Sequence, residues 1–418
     1  MTDAEKIRFD SLQLPDELMS GIKTAGFEFC TPIQAHTLPR ALAGHDIAGQ
    51  AQTGTGKTAA FLLATFNRLL TNPGGNETQQ QPRAILLAPT RELAIQIYED
   101  AKVLGNATKF RVQVVFGGAD YDKQRDRLEG GVDVLIGTPG RFIDYYKQGV
   151  FNLKNVEVVV LDEADRMFDL GFIKDIRYVM RRLPDADKRL NLLFSATLGQ
   201  KVLELAYEHM NDPESVQIEP EKLTADLVTE VVYFPSNREK IPLLIGLLTS
   251  MNAHRTMVFV NTKREAEKLE RFLTFNNVKA KAISGDVPQN KRMRMLKEFQ
   301  NGELPVLVAT DVASRGLHVP DVSHVVNYDL PTDCEDYVHR IGRTARAGAR
   351  GDSISFACEN FAMSLPDIET FIGHSLPVKS ISDNLLVKIK IPPRPERKER
   401  GGRPGGRGGN RRSGGHRR

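Results

Sequence analysis

Residues 51–58 have the types and spacing of a loop that binds phosphate. They follow the apolar-leaning residues 46–48 and precede a helical pattern at 59–64, so the context is strand, glycine loop and helix. In such a loop, backbone N–H groups surround phosphate oxygens, Lys57 reaches the β and γ phosphates, and Thr58 offers its hydroxyl to Mg²⁺. The predicted nucleotide contacts are Ala51, Gln52, Thr53, Gly54, Thr55, Gly56, Lys57 and Thr58. Ala51 stands where the motif has its first glycine, so an ordinary glycine-rich turn is the alternative.

Two adjacent carboxylates, Asp162 and Glu163, follow the apolar run 158–161. Asp162 is suited to hold Mg²⁺ through its water shell, and Glu163 to orient or deprotonate an attacking water. An acidic helix start is the alternative, and the preceding phosphate loop favours the catalytic interpretation. Ser195 and Thr197 follow another apolar run, and we expect their hydroxyls to hydrogen-bond the carboxylate loop.

An aromatic ring and an amide precede the phosphate loop at Phe27 and Gln34. A primary amide can bind the N6 and N7 edge of adenine, and an aromatic ring can stack on the base. The pair is therefore predicted to select ATP over GTP. A Gln after Thr31 and Pro32 is also typical of the first turn of a helix, which is the alternative.

Further strand ends carry hydroxyls, arginines and glycines, which suit contacts to a sugar-phosphate backbone. In the first half these residues are Pro89, Thr90, Arg91, Gly117, Gly118, Thr138, Pro139, Gly140 and Arg141. In the second half they are Gln289, Arg292 and Thr310. Each alone resembles an ordinary turn or cap. As a set they predict a nucleic-acid strand as a second ligand.

The segment 339–348 holds two arginines one helical turn apart, Arg343 and Arg346. Both can point at a γ-phosphate from across a cleft, as arginine fingers do. The alternative is a solvated basic helix start. Residues predicted to couple the two ligands are Ser195, Thr197, Asp311, Arg315, His339 and Gly342.

The candidate site residues lie at the ends of short apolar runs that alternate with helical patterns. Such runs predict parallel sheets covered by helices, an α/β fold. In the first half they lie at 84–88, 112–116, 132–136, 156–161 and 190–194; in the second half at 257–260, 280–283, 306–309, 322–326 and 353–356. Prolines and charges at 211–222 mark a boundary. The predicted division is an aromatic- and Gln-containing segment at 1–38, a nucleotide-binding domain at 39–215, a linker at 216–228, a second domain at 229–390 and a tail at 391–418.

Charge is unevenly distributed over the 418 residues. The tail carries ten Lys and Arg against two Glu, a net charge of +8, while the whole chain has a net charge of +4, which leaves −4 for residues 1–390. The tail contains too little apolar surface to fold, so we expect it to be disordered and to bind RNA; a solubility tail is the alternative. The three cysteines lack metal-ligand spacing and are expected to be reduced. With no apolar run of membrane-spanning length and no leader pattern, a cytoplasmic protein without membrane contact is expected.

Taken in order, these segments resemble the DEAD-box family of ATP-dependent RNA helicases. The matching segments are 9–34, 51–58, 89–93, 138–141, 162–165 and 195–197 in the first half and 258–262, 310–316 and 339–348 in the second. The resemblance implies two tandem RecA-like domains, with ATP and Mg²⁺ as cofactors and RNA as partner. Residues 165–177 and 327–343 are similar to a bacterial branch of the family that works in the RNA degradosome, which implies docking on an endoribonuclease scaffold. A monomer is expected.

The chain departs from the family pattern at three positions. His318 stands where most relatives have an Asp that contacts the ATP ribose, so that contact is not transferred to this chain. Ala345 replaces a usual glycine and Ser284 a usual histidine. None of these changes removes a phosphate-binding or metal-binding group.

The sequence therefore predicts an ATP-dependent RNA helicase that unwinds short duplexes locally and assists mRNA degradation. Two alternatives share the same motifs. One is an ATP-gated RNA clamp or scaffold that does not separate strands, and the other is a DNA translocase. The residues alone do not distinguish ribose from deoxyribose, so the preference for RNA rests on the family resemblance and the basic tail.

Overall fold

Two parallel β-sheets organise the chain, which we describe from a computed structural model. The described residues are 7–52, 54–72, 81–218, 228–251, 254–284, 287–314, 322–344 and 351–393. The first sheet has seven strands in the order β3-β4-β2-β5-β6-β1-β7. These strands are β1 Ile47–Gln50, β2 Ala84–Leu87, β3 Val112–Val115, β4 Val134–Gly137, β5 Val158–Leu161, β6 Leu190–Ser195 and β7 Glu214–Gln217.

Helices cover both faces of the first sheet. They are α1 Asp16–Thr24, α2 Pro32–Leu42, α3 Lys57–Thr71, α4 Arg91–Leu104, α5 Tyr121–Glu129, α6 Pro139–Lys147, α7 Ala164–Asp169, α8 Ile173–Met180 and α9 Gln200–His209, with short 3-10 helices at Phe9–Leu12 and Ala186–Lys188. The sequence of β2 is continuously apolar because both of its faces are covered. Leu86 packs into the cluster beneath α1 to α4, and Ile85 packs into the cluster beneath α5 to α9. A strand covered on both faces leaves no side for polar residues.

The second sheet has six strands in the order β10-β11-β9-β12-β13-β8. They are β8 Val228–Tyr233, β9 Thr256–Phe259, β10 Ala280–Ile283, β11 Val306–Ala309, β12 His324–Asn327 and β13 Gly351–Phe356. The accompanying helices are α10 Lys240–Ser250, α11 Lys263–Phe275, α12 Gln289–Gln300, α13 Asp311–Ser314, α14 Cys334–Ile341 and α15 Leu365–Ile372, with 3-10 helices at Ala362–Ser364 and Asp383–Leu385.

The predicted fold class, two parallel-sheet domains flanked by helices, is confirmed. Every predicted strand is present, with ends displaced by no more than two residues. Two strands were missed, β7 and β8. Strand β7 has the polar sequence Glu-Ser-Val-Gln at the sheet edge, where one row of backbone partners suffices and little side-chain burial is needed.

The predicted boundary at residue 215 falls inside β7, which pairs in parallel with β1 and belongs to the first sheet. Residue 228, the last of the predicted linker, is the first of β8. The middle of the linker, 219–227, and the tail from 394 onward lie outside the described residues. In the part of the chain that is described, no helix combines the length and apolarity needed to cross a bilayer. Cys30, Cys334 and Cys358 form no disulfides.

Candidate active site

The phosphate loop follows β1 and ends where α3 begins at Lys57. Gly54 and Gly56 have φ angles of 88° and 93°, a left-handed conformation that glycine adopts without strain. Lys57 is buried, 7% exposed, and its ammonium donates to the carbonyl of Ala51 at 2.5 Å. The Lys57 ammonium therefore folds back onto the backbone of the phosphate loop. Thr53 lies outside the described residues.

Gln34 connects helix α2 to this loop. Its Oε1 accepts from the backbone N–H of Thr31 at 2.9 Å, and its Nε2 donates to the carbonyl of Gly56 at 3.0 Å. A Cβ on Gly56 would lie 2.5 Å from Nε2, so only glycine permits this approach. Gln34 is thus a first-turn helix residue, as the alternative interpretation held, and it also contacts the phosphate loop. Its contact with adenine stays a prediction.

Asp162 lies at the end of β5 and is buried, 3% exposed. Burial raises the pKa of its carboxyl to about 7, because desolvation outweighs the opposing attraction of Lys57. Its Oδ1 accepts from the backbone N–H of Glu163 at 2.9 Å. Glu163 has a φ of 50° and pairs with Arg166 Nη1 at 2.8 Å, so its carboxylate is held in one orientation.

Asp165 ties the carboxylate loop to the end of β6. Its backbone N–H donates to Ser195 Oγ at 3.1 Å, and its Oδ2 accepts from the Thr197 hydroxyl at 3.3 Å. The backbone N–H groups of Ala196 and Thr197 donate to the same oxygen, each at 3.1 Å. The predicted hydrogen bonds between these hydroxyls and the carboxylate loop are confirmed; the coupling role of Ser195 and Thr197 stays a prediction.

The oxygen donors next to the phosphate loop fit Mg²⁺. Asp162 and Thr58 line the same cavity as Lys57. A buried carboxylate with a raised pKa gains from a nearby cation, and Mg²⁺ takes one or two protein oxygens together with water and substrate phosphates.

A cleft of about 890 Å³ lies between the two domains. From the first domain it is lined by Lys57 and Glu163, and from the second by His339 and Arg343. Arg343 is 5% exposed. The structure therefore places one predicted finger, Arg343, in the same cleft as Glu163, whose catalytic role stays a prediction. Arg346 and Arg315 lie outside the described residues, as do the departures His318 and Ala345.

Arg340 was missed as a site residue and is the most deeply buried arginine in the described second domain, 1% exposed. Its guanidinium makes a bidentate pair with Asp311, through Nε at 2.6 Å and Nη2 at 2.7 Å. Nη1 donates to the carbonyl of Asp329 at 2.6 Å, and Nη2 to Asn261 Oδ1 at 2.9 Å. Arg340 thus fixes helix α14, and with it Gly342 and Arg343, to the strand ends. The sequence did offer one signal for Arg340: it lies three residues, about one helical turn, before the predicted finger Arg343.

The three predicted backbone-contact loops of the first domain emerge side by side, because β3, β4 and β2 are neighbours in the sheet. Arg91 at the start of α4 lies against Gly117 and Gly118; a Cβ on Gly118 would be 2.1 Å from its guanidinium. Thr90 caps α4 by accepting from Leu93 N at 3.3 Å, and Thr138 precedes Pro139 and Gly140 at the start of α6.

Two predicted RNA-contact arginines have protein partners. Arg141 stacks over the ring of Tyr121 at 4.7 Å and over that of Tyr145 at 5.5 Å. Arg292 pairs with Glu92 of the first domain at 3.1 Å, and its Nη2 donates to the carbonyl of Ala313 at 2.7 Å. The exposed fractions of the Arg292 and Glu92 side chains are 12% and 9%, so this ion pair between domains is largely dry.

The remaining second-domain predictions are placed by backbone. Thr310 is buried after β11 and its carbonyl accepts from Ala313 N and Ser314 N. Gln289 begins α12, and its side chain lies outside the described set. Their contacts with RNA stay predictions.

Comparison with family models gives two matches. Residues 31–205 match the model described as DEAD/DEAH box helicase, and residues 239–348 match the helicase conserved C-terminal domain. Among curated proteins, the chain is 58% identical over 393 residues to the ATP-dependent RNA helicase RhlB of Shewanella halifaxensis, covering 94% of this chain and 90% of the relative. It is 54% identical over 412 residues to that of Vibrio vulnificus, covering 97% and 95%.

Two solved structures share the two-domain arrangement. S. cerevisiae Dbp5 bound to RNA and ADP BeF3 is 32% identical with a TM-score of 0.78, covering 90% of this chain and 95% of that chain. Mss116p bound to ssRNA and AMP-PNP is 28% identical with a TM-score of 0.77, covering 92% and 82%.

The largely dry ion pair between Glu92 and Arg292 leads to a prediction about how the two domains are held together. Arg292→Ala and Glu92→Ala should each weaken RNA binding in the presence of a non-hydrolysable ATP analogue, because each removes one half of a largely dry ion pair between the domains. The double variant should bind RNA about as well as either single variant, with a coupling of about 1 to 3 kcal/mol. The measurement is the RNA dissociation constant of all four proteins by fluorescence anisotropy.

Arg294→Ala is the matched control, because Arg294 pairs with Glu298 on the same helix at the surface. It should change RNA affinity little. If Arg292→Ala weakens RNA binding and Glu92→Ala has no effect, the arginine acts on RNA directly and the ion pair does not hold the domains together.

Proposed function

The chain belongs to the DEAD/DEAH-box helicase family and is an ATP-hydrolysing RNA helicase, and we propose that it couples hydrolysis to local unwinding of short RNA duplexes. One observation carries the proposal: Lys57 and Glu163 of the first domain and Arg343 of the second line a single cleft. Because the groups that would act on the γ-phosphate come from both domains, hydrolysis requires the domains to stay together.

Within the first domain, the proposed nucleotide site uses groups that are already positioned. The ammonium of Lys57 would exchange the Ala51 carbonyl for β- and γ-phosphate oxygens. Glu163, oriented by Arg166, would hold the attacking water and accept its proton. Asp162 and Thr58 would hold Mg²⁺, which when bound offsets the negative charge of the phosphates. Arg343 would stabilise the charge that develops on the γ-phosphate.

The RNA is proposed to lie along the neighbouring loops that follow β2, β3 and β4, with Arg91 beside Gly117 and Gly118. These loops belong to the first domain, while Thr310 belongs to the second. Closure of the two domains on ATP would therefore press one strand against both domains at once. We propose that this bends the strand and separates a short duplex, and that hydrolysis then releases the clamp.

The test of the proposed function is ATP hydrolysis and duplex separation by the purified full chain. We expect hydrolysis to be stimulated by single-stranded RNA and not by matching DNA, with Lys57→Ala as the blank. Glu163→Gln should bind ATP normally and hydrolyse it roughly 10²–10⁴-fold more slowly, because the general base is lost. A short RNA duplex should separate repeatedly with ATP.

The same experiment separates the rival functions. Equal stimulation by DNA would indicate a general translocase. RNA-stimulated hydrolysis without strand separation would indicate an ATP-gated clamp and would refute the unwinding proposal. Unchanged turnover in Glu163→Gln would remove Glu163 from its proposed role.

We further propose that the chain assists RNA degradation by docking on an endoribonuclease scaffold, an expectation that rests on the resemblance of residues 165–177 and 327–343. We propose that the partner binds exposed apolar residues of the second domain. Met363, Phe371 and Val378 are 84%, 52% and 67% exposed, and they flank Leu365, Ile368 and Leu376, which share one buried cluster. Exposed apolar groups gathered around one element are typical of binding surfaces.

Binding of the full chain to the purified endoribonuclease scaffold, measured by calorimetry, tests this docking. Met363→Asp with Val378→Asp should weaken binding at least tenfold, because a charge would be buried at the interface. Tyr207→Asp is the control, since Tyr207 is 69% exposed on the first domain. Equal affinity of both variants and the unmodified chain would exclude this surface, and no binding by the unmodified chain would exclude the partner.

A further inference from the structure

The cavity next to the phosphate loop extends well beyond the residues that would hold phosphate. Its volume is about 520 Å³. Lys57, Thr58 and Asp162 line the cavity near the phosphate loop. Phe27, Asp100 and Val103 line the same cavity. Since triphosphate would lie at Lys57 and Thr58, the part that contains Phe27 is where the base of the nucleotide would lie.

One wall of this base region is a stripe on α4. Gln96, Asp100 and Val103 follow each other at spacings of four and three residues, which places them on one face of the helix. Phe27 and Val103 are 42% and 41% exposed, so both keep apolar surface in contact with water. A planar base inserted here would cover both.

Asp100 is the only acidic side chain in this stripe. It is half-buried, and within the described stretches its carboxylate accepts no hydrogen bond and forms no ion pair. Burial, together with a smaller contribution from the neighbouring Glu99 carboxylate, raises the pKa of the Asp100 carboxyl to about 6. A partly desolvated acceptor without a donor is costly, and a ligand that brings a donor relieves that cost.

Gln34, the residue predicted to contact adenine, already uses half of the hydrogen-bonding capacity of its side-chain amide. Its oxygen accepts from Thr31 N and its nitrogen donates to the Gly56 carbonyl. One lone pair and one N–H remain for a ligand. A second acceptor in the same cavity would therefore add to base recognition rather than duplicate it.

We propose that the Asp100 carboxylate accepts a hydrogen bond from the exocyclic amine of adenine, with the ring held between Phe27 and Val103, and that Asp100 is a specificity-determining residue for ATP. This inference rests on the proposed assignment of the Lys57 and Thr58 cavity as the ATP site. Guanine has a carbonyl oxygen where adenine has the amine, so its oxygen would face a carboxylate and be repelled.

The test is equilibrium binding to the full chain of ATP, of GTP and of purine riboside triphosphate, which lacks the amine. Affinities are measured by competition against a fluorescent ADP analogue. The unmodified chain should prefer ATP over purine riboside triphosphate roughly tenfold, the worth of one charge-assisted hydrogen bond. Asp100→Leu should lose most of this preference and keep only the part that the remaining lone pair of Gln34 supplies. Asp100→Asn should retain part of the preference, since its amide oxygen still accepts.

Glu99→Leu is the matched control, because Glu99 is the adjacent acid and pairs with Lys102 at the surface. It should keep the full preference for ATP. A tenfold preference that survives in Asp100→Leu, or GTP bound as tightly as ATP by the unmodified chain, would overturn the proposal. If Lys57→Ala binds ATP as tightly as the unmodified chain, the cavity is not the ATP site and the inference falls with that assignment; circular dichroism of each variant checks that it is folded.

Discussion

Charged side chains that water barely reaches are concentrated at the facing edges of the two sheets, and each of them needs compensation. In the first domain Lys57, Asp162 and Arg166 are buried around the phosphate loop, and the largely dry carboxylate of Glu163 pairs with Arg166. In the second, Arg340 is held by Asp311. Removing one partner of a buried pair costs about 3–5 kcal/mol, so these partners fix one arrangement of the loops. The rest of the site depends on that fixed arrangement.

The need to compensate buried charges also bears on why the proposed site would draw on both domains. Asp162 is buried with its pKa raised, and Arg343 is buried on the other side of the cleft, so a triphosphate with its metal would supply charge to both. RNA is proposed to bind at Arg91. The neighbouring residue, Glu92, pairs with Arg292 of the second domain, so the contact between the domains lies beside the proposed RNA path. In the proposed mechanism, ATP and RNA are linked because both favour the same closed arrangement of the two domains.

Much of this organisation could be predicted from the sequence, because strand patterns and glycine positions are local properties. The end of β5 was located correctly and that of β6 to within one residue, and the contact between Ser195, Thr197 and the carboxylate loop was also predicted. Partner choice was not predictable in the same way. Arg340 finds Asp311 29 residues away, and Arg292 finds Glu92 in the other domain. No periodicity encodes such pairings. Strand β7 was missed because an edge strand needs little apolar sequence.

The most direct test of the account is the turnover of Arg343→Gln with saturating RNA, with ATP affinity measured in parallel. If the second domain completes the site, turnover should fall at least ~10³-fold, the usual contribution of an arginine finger, while ATP affinity stays close to that of the unmodified chain. Unchanged turnover would mean that the first domain hydrolyses ATP by itself, and it would contradict the claim that the shared cleft couples RNA to hydrolysis.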